Sequence, residues 1–237
     1  MNTIVLAFLG SLTLAGIHAF TSVLNRVPER RQAAIESISG GVSLTYVFLY
    51  LLFELVRDGA PLVHDLLPLG PEPVESLAIL LAASVVGGYL LQAHLERTTH
   101  LSDQHRGLAA FFIAYNFLTG AGIAEEARWG AMNIAIYVAA VGVHMLCNER
   151  LLIHLYGRAH GRFWRGTLAA APVLGFGIAT GFRLPESALY VALTVVAGAT
   201  IINVVRRELP GAHHLRPFLF LMGSVGYGLL ILAKWRF

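Results

Sequence analysis

The chain is written in long apolar stretches separated by short polar ones. Residues 3–23, 35–56, 75–93, 107–124, 131–148, 166–182, 188–205 and 217–233 are each predominantly apolar. A membrane helix needs about 17–25 such residues, so eight spans are predicted. The 107–124 and 166–182 stretches are short and contain glycine. A loop there would leave backbone groups unpaired in lipid, which makes helix the assignment for these two as well. The expected architecture is all-α, a polytopic membrane bundle forming one transmembrane domain over residues 1–237. Only short turns such as Leu69-Gly70-Pro71-Glu72-Pro73 interrupt it.

Polar side chains recur inside the spans at helical spacing. Residues three, four and seven apart share a face. Ser11, Ala15, His18 and Ser22 line up in the first span, and Ser39, Ser43, Tyr46, Tyr50 and Glu54 in the second. Ser84, Gly88 and Gln92 do so in the third, Tyr115, Asn116 and Thr119 in the fourth, and Asn133, Tyr137, His144 and Asn148 in the fifth. Small and hydroxyl-bearing residues on such stripes commonly serve helix packing. Strongly polar residues are different: a charge at the bilayer centre costs roughly 2.5–3.5 kcal/mol on insertion scales, and such residues tend to mark pathways or sites. His18, Asn116, His144 and Asn148 carry that signal. Glu54 and Glu149 lie near the predicted span ends, where water is expected to reach them. His144 with Asn148 one turn on and Glu149 next is a spacing that lets imidazole and oxygen donors face one ion, and imidazole suits zinc, copper, iron or nickel. A hydrogen-bonded structural histidine is the alternative meaning, for His144 and for His18.

Composition agrees: 56% of residues are hydrophobic and 13% charged, with a mean hydropathy of +0.66, against roughly 25% charged in an ordinary soluble domain. A net charge of +3 and a pI near 9.2 do not imply a nucleic-acid partner, because the basic residues fall in short loops. The odd-numbered loops hold Arg26, Arg30, Arg31, Arg97, Arg106, Arg150, Arg158, Arg162, Arg165, Arg206, Arg207 and Arg216, twelve in all. The other side holds five: Arg57, Arg128, Arg183, Lys234 and Arg236. Positive charge is retained in the cytoplasm, which places both termini outside it. The first span is expected to be a mature span, since Met1, Asn2 and Thr3 supply no charged n-region. Cys147 is the one cysteine, so no internal disulfide forms. The third loop, from His94 to His105, carries three histidines with Glu96 and Asp103. It is either a solvated turn or a weak metal-binding loop. Nothing matches a phosphate loop, a Ser-His-Asp arrangement or a cysteine-based zinc motif, and no enzymatic role is expected.

Two segments resemble the ZIP (Zrt/Irt-like) metal transporter family. Ser39-Gly40-Gly41-Val42-Ser43-Leu44-Thr45-Tyr46 through Phe53-Glu54 is similar to that family's Gly-rich segment ending in His-Leu-Leu-Pro-Glu, and Leu189-Tyr190-Val191-Ala192-Leu193 resembles a further ZIP phrase. The layout is also similar, with eight spans, both termini outside and histidines in the third loop. Where ZIP span 4 carries His-Asn-x-x-Glu/Asp-Gly, this chain has Tyr115-Asn116-Phe117-Leu118-Thr119-Gly120. Where span 5 carries a His-x-x-Pro-Glu/His type of motif, it has His144-Met145-Leu146-Cys147-Asn148-Glu149. The imidazole and the acid of span 4 and the proline of span 5 are therefore missing, and the acid of span 5 is displaced by one position.

The resemblance implies a transporter of a divalent metal, zinc first, in the cell (inner) membrane. His144, Asn148 and Asn116 would hold the ion, with Tyr115, Thr119 and Glu149 flanking it and His18, Tyr50 and Glu54 along its path. Such a set supplies at most a single negative charge, whereas zinc usually takes about four donors from Cys, His, Asp and Glu. Two other readings stay open: a haem protein using His18 and His144 as axial ligands, and a non-transporting scaffold. A homodimer is possible on general grounds.

Overall fold

The computed structural model describes residues 2–20, 29–97, 101–156, 161–182, 184–211 and 215–236. The described residues contain no strand. Helix α1 is Thr3–Phe20. Helix α2 runs unbroken over 29–66, α-helical at Glu29–Thr45, widened into π turns at Tyr46–Leu51 and Leu55–Gly59, and α-helical again at Ala60–Leu66. Helices α3 (Pro73–Arg97), α4 (Leu101–Trp129), α5 (Ala131–Tyr156) and α6 (Arg162–Gly181) follow. Helix α7 (Glu186–Asn203) continues through a π turn at Val204–Glu208, and α8 is Pro217–Arg236.

Among the described residues, five stretches are long and apolar enough to cross a membrane: Ala33–Leu66, Pro73–Leu95, His105–Trp129, Glu186–Arg206 and Pro217–Arg236. Thr3–Ala19 and Ala131–Leu146 are apolar but shorter. Polarity is arranged opposite to that of a water-soluble bundle. Ile4 and Phe8 of α1, Val86 and Leu90 of α3, and Leu221, Val225 and Leu229 of α8 face outward, while Ser11, His18, Asn116, His144 and Glu149 are buried. An apolar exterior of this extent is what a lipid environment accommodates and water does not.

Helix–helix packing divides the molecule into two groups of four. Helices α1, α4, α5 and α6 pack on one another, as do α2, α3, α7 and α8; the seam between the groups runs chiefly where α4 meets α7 and α2 meets α5. Glycine sets the closest approaches. A side chain at Gly120 of α4 would collide with the carbonyl of Pro172 in α6, and one at Gly175 of α6 with the carbonyl of Phe117 in α4. The same reciprocal device joins α2 to α8, with Gly41 against Phe220 and Gly223 against Ile38. Small residues let membrane helices approach this closely, where dispersion replaces the missing hydrophobic drive. Only Gly130 separates α4 from α5, at a φ of 105°. That left-handed conformation ends α4 and turns the chain straight back.

Several helix limits differ from the apolar pattern. Helix α4 continues to Trp129, past the predicted end at 124, and α2 continues to Leu66, past 56. The predicted limits fall just before Glu125 and Arg57, and both charges find partners, Glu125 in Arg128 and Arg57 in Asp58. The third loop shrinks likewise: His94 lies in α3 and His105 in α4, where its ring meets Trp164 edge-on at 5.2 Å. His100 lies outside the described residues.

Candidate functional site

Three helices of the first group converge on one imidazole. His18, two residues before the end of α1, is 2% exposed. Its Nδ1 lies 2.8 Å from Oε2 of Glu149 in α5, and its Nε2 lies 2.9 Å from Nδ2 of Asn116 in α4. The Nδ2 group of Asn116 can only donate, so Nε2 accepts and the imidazole proton on Nδ1 is donated to the carboxylate. Glu149 is fully buried and Asn116 is 2% exposed. Water was expected to reach Glu149 at a span end; instead α5 runs on to Tyr156 and encloses it.

Of the residues expected to hold an ion, the structure thus joins Asn116 and Glu149, through His18. His144 is also buried, its ring 5.3 Å from that of Tyr115. The Tyr115 hydroxyl is hydrogen-bonded to the Thr200 hydroxyl of α7 at 3.1 Å. Thr119 turns its hydroxyl back to the Asn116 carbonyl, 2.8 Å away, while its own carbonyl accepts from Tyr137 at 3.1 Å. The side chain of Asn148 lies outside the described ones. Both ring nitrogens of His18 are occupied, so a haem bound by His18 and His144 would have to displace Asn116 or Glu149.

A second polar layer lies ten residues further along α4, about 15 Å at 1.5 Å per residue. Glu125 and Glu126 are each 3% exposed. Tyr50 of α2 donates to Oε2 of Glu126 at 2.8 Å, and Lys234 of α8 donates to the Tyr50 hydroxyl at 3.1 Å, its ammonium 4.2 Å above that ring. Arg128 binds Glu125 at 3.1 Å and also Glu186 of α7. Glu54 is half-buried within electrostatic reach of Lys234, Arg57, Asp58 and Glu125. Between the layers stand aromatic rings: Tyr46 stacks on Tyr50 at 5.7 Å and meets Tyr137 and Tyr227 edge-on at 6.3 and 6.4 Å. The π turn at Tyr46–Leu51 carries both stacked tyrosines, and such turns frequently coincide with functional sites.

Sequence reading missed Glu125, Glu126 and Lys234 as interior groups. The rhythm that would have found Glu126 was present: Asn116, Thr119, Ile123 and Glu126 follow one another at spacings of three and four on the face of α4 that carries the site.

Chemically, the inner cluster offers one imidazole nitrogen, one carboxylate and one amide. A zinc ion bridging His18 and Glu149 at roughly 2.0–2.1 Å per bond and a tetrahedral angle needs the two donor atoms about 3.3 Å apart. At 2.8 Å the Nδ1 proton occupies that position. Among the described residues no group of three or more His, Cys, Asp or Glu is placed to hold a metal ion. No protein-family model matches the chain, and no curated protein matches it.

Proposed function

We propose that this chain is an integral membrane carrier of a small cation, with His18, Asn116 and Glu149 as its substrate site. The observation that carries the reading is the burial of an imidazole–carboxylate pair and an amide, drawn from three helices, inside an otherwise apolar bundle. Ionisable groups in such a place are costly and mark ion pathways by default. In this reading all eight apolar segments span the membrane with both termini outside the cytoplasm, and the site belongs to the α1, α4, α5, α6 group. Movement of that group against α2, α3, α7 and α8 exposes the site to each side in turn.

The cargo is a divalent cation, zinc by the ZIP resemblance, and the membrane is the inner one. Binding at Nδ1 moves the single imidazole proton of His18 to Nε2, where the Asn116 amide turns its oxygen to accept it, so the ligand stays a neutral imidazole. His144 and Tyr115 stand beside the path, and Tyr50 and Glu54 line its outer end.

Proteoliposomes containing a zinc-sensitive dye test the proposal. Wild-type protein is expected to admit zinc, and Glu149→Gln, which keeps the shape and a hydrogen-bond acceptor, to be slower by about tenfold or more. Even outer-shell partners of a metal are worth 10–100-fold. Wild-type vesicles no faster than protein-free ones, or a Glu149→Gln rate equal to wild type, would refute it.

A further inference from the structure

The inner cluster lies wholly within one helix group, whereas the outer one joins the two. Glu126 belongs to α4 of the first group; Tyr50 and Lys234 belong to α2 and α8 of the second. Both Glu126 and Tyr50 are 3% exposed, so their 2.8 Å hydrogen bond is shielded from water. The phenol oxygen donates to the Glu126 carboxyl group of one helix group and accepts from the Lys234 ammonium of the other, so a single hydroxyl ties the two together. Hydrogen bonds chained in this way polarise one another. The ammonium also rests on the Tyr50 ring at 4.2 Å, a contact that strengthens when desolvated. A carboxylate buried at a sliding interface is costly unless it is compensated, and here the compensation comes from the opposite group. None of these residues contributes to the inner cluster, about 15 Å away.

We propose that Lys234, Tyr50 and Glu126 form a latch that holds the two helix groups in the conformation seen here and keeps the seam between them closed. The latch gives the carrier reading its gate. It stands on the seam contacts alone, so it is testable without cargo, and its failure is distinguishable from failure of transport.

The reporter is Ser43, 1% exposed and one turn before Tyr46 on the α2 face that carries Tyr50. In full-length protein with Cys147 replaced by alanine, Ser43→Cys is labelled with a small polar thiol reagent and the rate measured. Tyr50→Phe and Lys234→Met are each expected to accelerate labelling by about fivefold or more, the lower bound of ordinary conformational coupling. Lys234→Arg, which keeps charge and donors, should remain within about twofold of the parent on that same scale. A cysteine at Ser11, fully buried on α1 away from the seam, is the control and should not respond to any of them. Unchanged labelling in both Tyr50→Phe and Lys234→Met overturns the latch. So does equal acceleration at Ser11→Cys, which would show general loosening of the bundle.

Discussion

His18→Ala is expected to be the most damaging single substitution, lowering stability by about 3–5 kcal/mol, since each buried polar group left unpaired costs about 1–3 kcal/mol, more for a charged one, and the void adds to it. The imidazole touches both Asn116 and Glu149, at 2.9 and 2.8 Å. Its loss withdraws an acceptor from a buried amide and a donor from a carboxylate that is itself fully buried. It also leaves a void at the meeting of α1, α4 and α5. His18→Gln, whose amide can still donate to Glu149, should recover part of the loss. Thermal unfolding in detergent measures both, and a double-mutant cycle with Glu149→Gln isolates the pair. A coupling above about 0.5 kcal/mol is expected for groups in direct contact. A cycle that closes to zero would mean that the two side chains do not interact.

Gly175→Ala is expected to have the second-largest effect. One methyl group there meets the Phe117 carbonyl of α4, which is backbone and cannot rotate away. The two helices must separate, and overpacking of this kind costs about 1–3 kcal/mol, at times more. The consequence reaches the site, because Phe117 adjoins Asn116, the α4 member of the His18 cluster. Gly175→Ala should therefore lower both the melting temperature and cation uptake. Gly177→Ala on the same helix has nothing within 4 Å of the added carbon and should stay within about 0.5 kcal/mol of wild type, as surface changes generally do. Equal melting temperatures for the two variants would contradict the packing of α4 on α6.

Much of the fold is legible in the apolar pattern because membrane helices announce themselves by length and hydropathy alone. Glycine at Gly130, Gly120 and Gly175 could be seen in the sequence, but not what each one faces. The site was legible residue by residue and not as a group. His18, Asn116 and Glu149 were all singled out, yet Glu149 was assigned to His144 because the two share a helix. Five residues at about 100° each carry the chain about 140° past one full turn, so Glu149 and His144 point to different neighbours. Spacing within a helix is encoded locally, whereas the pairing of Glu149 with a histidine 131 positions away depends on how α1 docks on α5. Depth was easier: Asn116 and His144 stand equally far from Gly130, so the hairpin brings the two to one level. The ring that meets His144 belongs to Tyr115, next to Asn116.

The most direct measurement for the carrier account is equilibrium dialysis of zinc against detergent-purified protein. Wild type is compared with His18→Gln, Glu149→Gln and His144→Ala, with folding of each confirmed by its melting curve. One ion per chain is expected for wild type and for His144→Ala, and an affinity weakened by about tenfold or more in the two variants that alter the cluster. Zinc held equally well by Glu149→Gln and His18→Gln, or lost in His144→Ala alone, would contradict the assignment of the cargo to His18, Asn116 and Glu149.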